Sequence, residues 1–252
     1  MRYTVSLPTY DLFDSWSHSL EPIEVNTTFW VFLQNPNGLS IYRNNHLLIH
    51  DFQTCYQYGA GVLCFPETKV NWDQEGQLYT LQQMFRGIWK SSVLQPSHTP
   101  ERFLSTYQPG GTLTAVCENE VSRVVGRGED PYGLGRWSYI TLWGQRDVKI
   151  TIVTAYQACL SMGDGTYYQQ QLRLLSRLHR EQNIQTLPDP RRQLILDLQA
   201  WLETLQSDNH QFILSLDANK PFDPDKSVPP QPLTYSAPNL TVHSTHSGRL
   251  AT

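Results

Sequence analysis

Residues 27–33, Thr-Thr-Phe-Trp-Val-Phe-Leu, make a β-branched and aromatic run of the kind a strand requires. It stops at a turn-forming cluster, Asn35, Pro36, Asn37 and Gly38. Leu48, Phe52, Cys55 and Tyr56 then share one helical face, Gly59 and Gly61 close that helix, and a second apolar run follows at 62–65. This strand, helix, strand succession commits the front of the chain to a mixed fold. It also leaves a polar residue at each strand's carboxyl end, Asn35 after the first and Glu67 after the second.

Leu78, Leu81, Phe85, Ile88 and Trp89 mark a further amphipathic helix. The middle of the chain changes character, because 110–116, 137–143 and 148–156 all read as strands, and 144–147 reads as a hairpin turn joining an antiparallel pair. After Gly163 and Gly165 a helix is expected over 167–180. Pro190 opens another, with Leu194, Leu198, Trp201, Leu202 and Leu205 on one face. The run 211–216 then delivers Asp217 and Asn219 to a strand end. Residues 1–26 read as a loosely packed leader, 27–220 as one domain, and 221–252 as a Pro/Ser/Thr-rich tail without an apolar period.

Composition narrows the function. Lys+Arg 19 against Asp+Glu 23 gives a net charge of -4, so no global positive field draws the protein to nucleic acid or an anionic membrane, and any phosphate recognition is local. No stretch approaches the ~20 apolar residues of a membrane span, and the N-terminus lacks the apolar run of a signal peptide. Cys55, Cys64, Cys117 and Cys159 are too far apart for a C-x-x-C zinc site and too sparse for a secreted disulfide scaffold, so they read as reduced thiols of an intracellular protein.

In αβ sheets ligands gather beyond the carboxyl ends of strands, which places Asn35, Glu67, Asp217 and Asn219 as residues that converge. Singly each has a plain structural use: turn residues, a helix-start charge, an N-cap. Four blocks carry more: Phe-Leu-Gln-Asn-Pro-Asn-Gly-Leu at 32–39, Leu-Cys-Phe-Pro-Glu-Thr-Lys at 63–69, Val-Thr-Ala-Tyr at 153–156 and Leu-Asp-Ala-Asn at 216–219. In order and spacing they resemble the endonuclease/exonuclease/phosphatase family of apurinic endonucleases and pancreatic deoxyribonuclease. Gly110-Gly111-Thr112 and Gly135-Arg136-Trp137 are similar to the endonuclease domains of non-LTR retrotransposons especially.

The resemblance implies an α+β fold, the deoxyribonuclease-like four-layer αββα sandwich, incomplete at the C-terminus. It implies Mg²⁺-dependent hydrolysis of DNA phosphodiesters, with Mn²⁺ as a second candidate ion, in an intracellular compartment that includes the nucleus. Glu67 would be the metal carboxylate, a hard oxygen ligand beside substrate phosphate. Asn35 would order that shell, Asp217 would orient and deprotonate the attacking water, Asn219 would donate to a phosphoryl oxygen, and Tyr156 would contact the scissile phosphate. Asn37 sits where some relatives carry a carboxylate. Pro36 and Pro66 depart from the pattern by removing backbone donors at strand ends. The family's terminal Asp-His pair has no counterpart before Thr252, and the expectation is a truncated, impaired enzyme. His243 and His246, in the tail, read as surface residues, and His46, His50, His98 and His210 as no substitute. The alternatives are an inactive mobile-element relic or binding module, and a phosphodiesterase acting on a phospholipid or small phosphate ester.

Arg173, Arg177 and Arg180 recur at helical spacing, with Arg191 and Arg192 opening the next helix; a solvated face is the favoured reading over a nucleic-acid track. Arg123, Arg127 and Arg136 are read as sharing a loop with Glu118, Glu120, Glu129 and Asp130. Trp30, Trp137, Trp143 and Trp201 are expected in the core, and Trp72 is weighed as a border of the substrate cleft.

Overall fold

The computed structural model describes residues 29–42, 45–101, 107–144, 148–219 and, for the backbone alone, 241–243. The leader 1–26 and most of the tail lie outside the described residues.

Thirteen elements follow in the order β1 (Trp30–Leu33), α1 (His46–Gln57), β2 (Ala60–Pro66), α2 (Gln77–Arg86), β3 (Ser92–Ser97), β4 (Thr112–Cys117), β5 (Val124–Glu129), β6 (Trp137–Trp143), β7 (Lys149–Tyr156), α3 (Tyr167–Glu181), α4 (Pro190–Ser207), β8 (His210–Asp217) and β9 (Thr241–His243). A 3-10 helix, Glu118–Arg123, precedes β5. The strands form two sheets, β1-β2-β4-β3 and β5-β6-β7-β8-β9. In the first, β1 and β2 are parallel, with α1 as the crossover, while β2–β4 and β3–β4 are antiparallel. In the second, β5–β6 and β6–β7 are antiparallel, and β7–β8 and β8–β9 are parallel. Helices α3 and α4 fill the crossover from β7 to β8.

Period-2 alternation in strands buried on both faces makes the layers. Leu63 and Phe65 of β2, with Leu113, Ala115 and Cys117 of β4, turn outward onto Leu48, Phe52 and Cys55 of α1 and Leu81, Met84 and Phe85 of α2. Phe52 packs at 5.9 Å from Phe65 and 4.9 Å from Phe85 between ring centroids. The intervening positions Val62, Cys64 and Val116 turn inward onto Ile140, Leu142 and Ile152 of the second sheet. On that sheet's outer face Trp137, Val153, Ala155 and Leu214 meet Leu194 and Leu198 of α4. Each fully buried Val, Leu, Ile, Phe or Met among them contributes about 1.5–3 kcal/mol. The molecule is therefore a four-layer αββα sandwich of the deoxyribonuclease-like kind.

Helix starts follow their capping chemistry. Asn45 accepts from Leu48 N at 3.1 Å, Thr166 accepts from Gln169 N, and Asp189 caps α4 with Pro190 in its first turn.

Several expectations are corrected. Segment 118–129 is not a charged loop: it forms the 3-10 helix and β5, whose alternately exposed Val125, Arg127 and Glu129 fit an edge strand with one wet face. Arg123 pairs with Glu120, while Arg136 is buried with Asp130 at 2.6 Å and Asp197 at 2.7 Å. Trp30 and Trp143 are exposed, the former on edge strand β1 and the latter at the end of β6. Trp72 is buried in the outer core of the first sheet and presents no stacking face. β3 carries Pro96 and lies at a sheet edge, where a missing donor is tolerated. Three residues of the segment read as tail, Thr241–His243, pair with β8 as β9.

Candidate active site

The parallel pairs β1–β2 and β7–β8, in different sheets, end in polar residues that meet. Asn35 follows β1, Glu67 follows β2, Tyr156 ends β7, and Asp217 ends β8 directly opposite Tyr156 in register. The Asn35 amide nitrogen donates to Glu67 Oε2 at 2.9 Å and to Asp217 Oδ2 at 2.5 Å, so a single side chain joins carboxylates from different sheets. Asn35 Oδ1 accepts from Asn37 N at 2.7 Å. Asp217 Oδ1 accepts from Asn219 N at 3.0 Å, and Asn219 Nδ2 donates to Gln157 O at 2.5 Å.

Tyr156 is buried, and its hydroxyl faces Glu67 and Asn219. Burial, and then the nearby Glu67 charge, push its pKa far above the ordinary phenolic value, so it remains a neutral donor. Its ring lies 5.3 Å from that of Tyr167 at the start of α3. Tyr167 in turn rests on Gly110, where an added Cβ would stand 2.4 Å from the ring, and donates to Gly135 O at 3.3 Å. Both glycine blocks noted in the sequence thus touch Tyr167 behind the cluster, Gly110 through its ring and Gly135 through its carbonyl. Arg136 O accepts from Tyr156 N at 3.0 Å, which ties the buried Arg136–Asp130–Asp197 ion triad to the end of β7.

Among the described residues, four of the seven non-glycine residues with positive φ belong to this region: Asn37 at 50°, Glu67 at 56°, Lys69 at 54° and Asn219 at 44°. Such strain persists where surrounding contacts over-determine it. Here Gly111 O and Gly110 O accept from Thr68 N at 3.1 Å and Lys69 N at 2.7 Å, fixing the backbone just after Glu67.

Sequence reasoning missed four participants. Lys69 Nζ sits 3.2 Å from Glu67 Oε1 and donates to Asn37 Oδ1. Arg191 donates to Gln157 Oε1 at 3.0 Å and to the carbonyls of Ala218 and Asn219 at 3.3 Å, clamping the turn after β8. Cys159 is exposed beside the Tyr156 hydroxyl; partial burial, and then Glu67 and Asp217, raise its thiol pKa against a lowering contact from Tyr156. Only Arg191 had a sequence signal, its place at the capped start of α4. Among the described residues no histidine contacts the cluster; His98 pairs instead with Asp73 at 3.4 Å. Arg173 of the helical stripe is held by Glu101 at 2.9 Å, and Arg177 and Arg180 do not join the cluster. His246 lies outside the described residues.

Among the described residues no group of three or more His, Cys, Asp or Glu side chains surrounds a common point. Glu67 and Asp217 nonetheless offer hard carboxylate oxygens, which suit Mg²⁺ or Mn²⁺ held jointly by water and a phosphate group. Asn35 donates to Glu67 Oε2, and Lys69 Nζ lies 3.2 Å from Oε1.

No family model matches the chain, and no curated protein matches it. Solved structures do. It is similar to the catalytic domain of APE2 from Xenopus laevis (TM-score 0.44, 14% identity, 77% of this chain and 59% of that one). It is also similar to the human Nocturnin catalytic domain with bound sulfate (0.42, 12%, 75% and 64%). A third is an endonuclease/exonuclease/phosphatase family protein from Leptotrichia buccalis (0.37, 13%, 60% and 63%). These neighbours are endonuclease/exonuclease/phosphatase family members. The chain spans less than two thirds of the length of each. Among the described residues no helix is long and apolar enough to cross a membrane.

Proposed function

We propose that the chain is an endonuclease/exonuclease/phosphatase-type hydrolase that cleaves DNA phosphodiesters with Mg²⁺ or Mn²⁺, in the manner of retrotransposon endonuclease domains. One observation carries this reading: carboxylates from two different sheets, Glu67 and Asp217, share the Asn35 amide at the carboxyl ends of parallel strand pairs. Structural carboxylates rarely need to be brought together from elements so distant; a site that handles a charged reactant does.

Glu67 would hold the ion, and a bound divalent cation supplies Lewis-acid stabilisation of phosphate charge. Asp217, fixed at both oxygens by Asn35 and Asn219 N, has lone pairs left to accept a proton from water. Neutral Tyr156 has its hydroxyl beside Glu67 and would donate to a phosphoryl oxygen. Asn219 Nδ2 is engaged by Gln157 O, so its donation to phosphate requires exchange of a protein partner. Arg191 holds the backbone that positions it.

Nicking of supercoiled plasmid with Mg²⁺ tests the reading. Glu67→Gln keeps the shape and removes the charge, and a loss of about a hundredfold or more is expected. Nicking that survives the substitution sinks the assignment of Glu67. A parallel assay on bis(p-nitrophenyl) phosphate and on phospholipid separates DNA from other phosphate esters.

A further inference from the structure

We infer that Lys69 is a built-in rival of the divalent cation at Glu67, so that the free protein holds its own positive charge where the metal would bind. The inference deepens the preceding one, because it rests on Glu67 being the metal carboxylate.

Lys69 is not a freely swinging surface lysine. Its side chain is 25% exposed, and its ammonium lies 3.2 Å from Glu67 Oε1 with a second anchor on Asn37 Oδ1. Its stem packs against Gly38, at ordinary contact distance from where a Cβ would stand, 3.5 Å from Lys69 Cδ and 3.7 Å from Lys69 Cβ. Its backbone is pinned by Gly110 O in the same left-handed conformation as Glu67. The Asn37 amide oxygen and the Glu67 carboxylate together make a seat for one cation, which the ammonium fills.

Two cations at contact distance on one carboxylate oxygen repel each other, and at a partly buried site water screens that repulsion only in part. The ion therefore enters by expelling Lys69. A substrate phosphate gives the expelled ammonium a new partner, which couples metal and substrate binding positively. Without substrate the metal is held weakly, and the cleft stays electrostatically closed.

Direct Mn²⁺ titration of the free protein, followed by electron paramagnetic resonance with no substrate present, tests this. Lys69→Met, which keeps the stem and removes the charge, is expected to bind Mn²⁺ about tenfold more tightly than the unmodified chain. Lys69→Arg should stay near the starting affinity. Asn37→Gly, which tolerates the positive φ and removes the second anchor, should tighten binding by a smaller factor, and serves if Lys69→Met does not fold. Binding to Lys69→Met that is equal or weaker, yet still abolished by Glu67→Gln, overturns the inference and leaves Glu67 as the metal ligand. Absence of Glu67-dependent binding in every variant overturns both.

Discussion

The space between the two sheets has two unlike halves. Away from the cleft it is apolar, filled by Val62, Val116, Ile140, Leu142 and Ile152, all fully buried. Toward the cleft the same inward positions turn to hydroxyls. Thr112 Oγ1 donates to Ser138 Oγ at 3.0 Å, and Thr114 Oγ1 lies 2.9 Å from Ser138 Oγ and 2.8 Å from Thr154 Oγ1. Cys64 joins them against Ser215 and Thr154, and burial raises its thiol pKa. Apolar contacts are non-directional and tolerate small slides, whereas hydrogen-bonded hydroxyls fix the offset between sheets. The far half supplies the larger share of stability, and the near half sets the alignment on which the Asn35 bridge between Glu67 and Asp217 depends.

The largest expected effect lies in the far half. Ile140→Ala should cost about 2–5 kcal/mol in denaturant unfolding, with nicking per folded molecule retained. Loss of activity in fully folded Ile140→Ala would break the division. Thr114→Val should cost less, about 1–3 kcal/mol, by stranding Ser138 and Thr154, yet reduce nicking per folded molecule more than Ile140→Ala does. Unchanged kinetics in that variant would remove the alignment role. Arg191→Met should lower stability by only about 1 kcal/mol and still impair turnover, because the carbonyls of Ala218 and Asn219 lose their donor.

The smallest expected effects come from pH, and they divide the ends again. His210, at the start of β8 and 2.9 Å from Thr151 Oγ1, has its pKa lowered by burial and then by Lys149. The unfolded chain therefore binds the proton more readily. Stability should decline as pH falls below about 6.5, and His210→Gln should flatten that slope. Tyr156 at the cleft has its pKa raised, so the stability from burying the neutral phenol is present below about 10 and is lost as pH rises through the higher folded value. Thermal melts across pH check both, and an acid slope unaltered by His210→Gln would detach it from the far end.

The site was legible where chemistry interrupts a pattern. Asn35, Glu67 and Asp217 each break off an apolar run, and a polar residue at such a boundary is visible in one dimension. The layers were legible for the same reason, since 62–65, 113–116 and 150–155 are too apolar to be anything but buried strands. Lys69, Gln157 and Cys159 look like ordinary loop residues, because their partners arrive from elsewhere in the chain. β5 escaped because its glycines and alternating charges resemble a loop, and β3 because Pro96 argues against a strand until the edge position is known. Trp30 and Trp143 read as core because they lie in strand runs, yet edge position and strand end decide exposure.

The Asn35–Asp217 hydrogen bond links residues 182 positions apart, while Glu67 lies only 32 from Asn35. During synthesis, β1, α1 and β2 can assemble early and seat Lys69 on Glu67, whereas Asp217 arrives only after α3 and α4 have carried the chain across to β8. Closing so long a loop is a slow event in folding. A partly made chain therefore carries Glu67 with its charge already paired to Lys69 and lacks Asp217, the group proposed to activate water. On the proposed function, hydrolytic competence waits for the docking of β8 against β7.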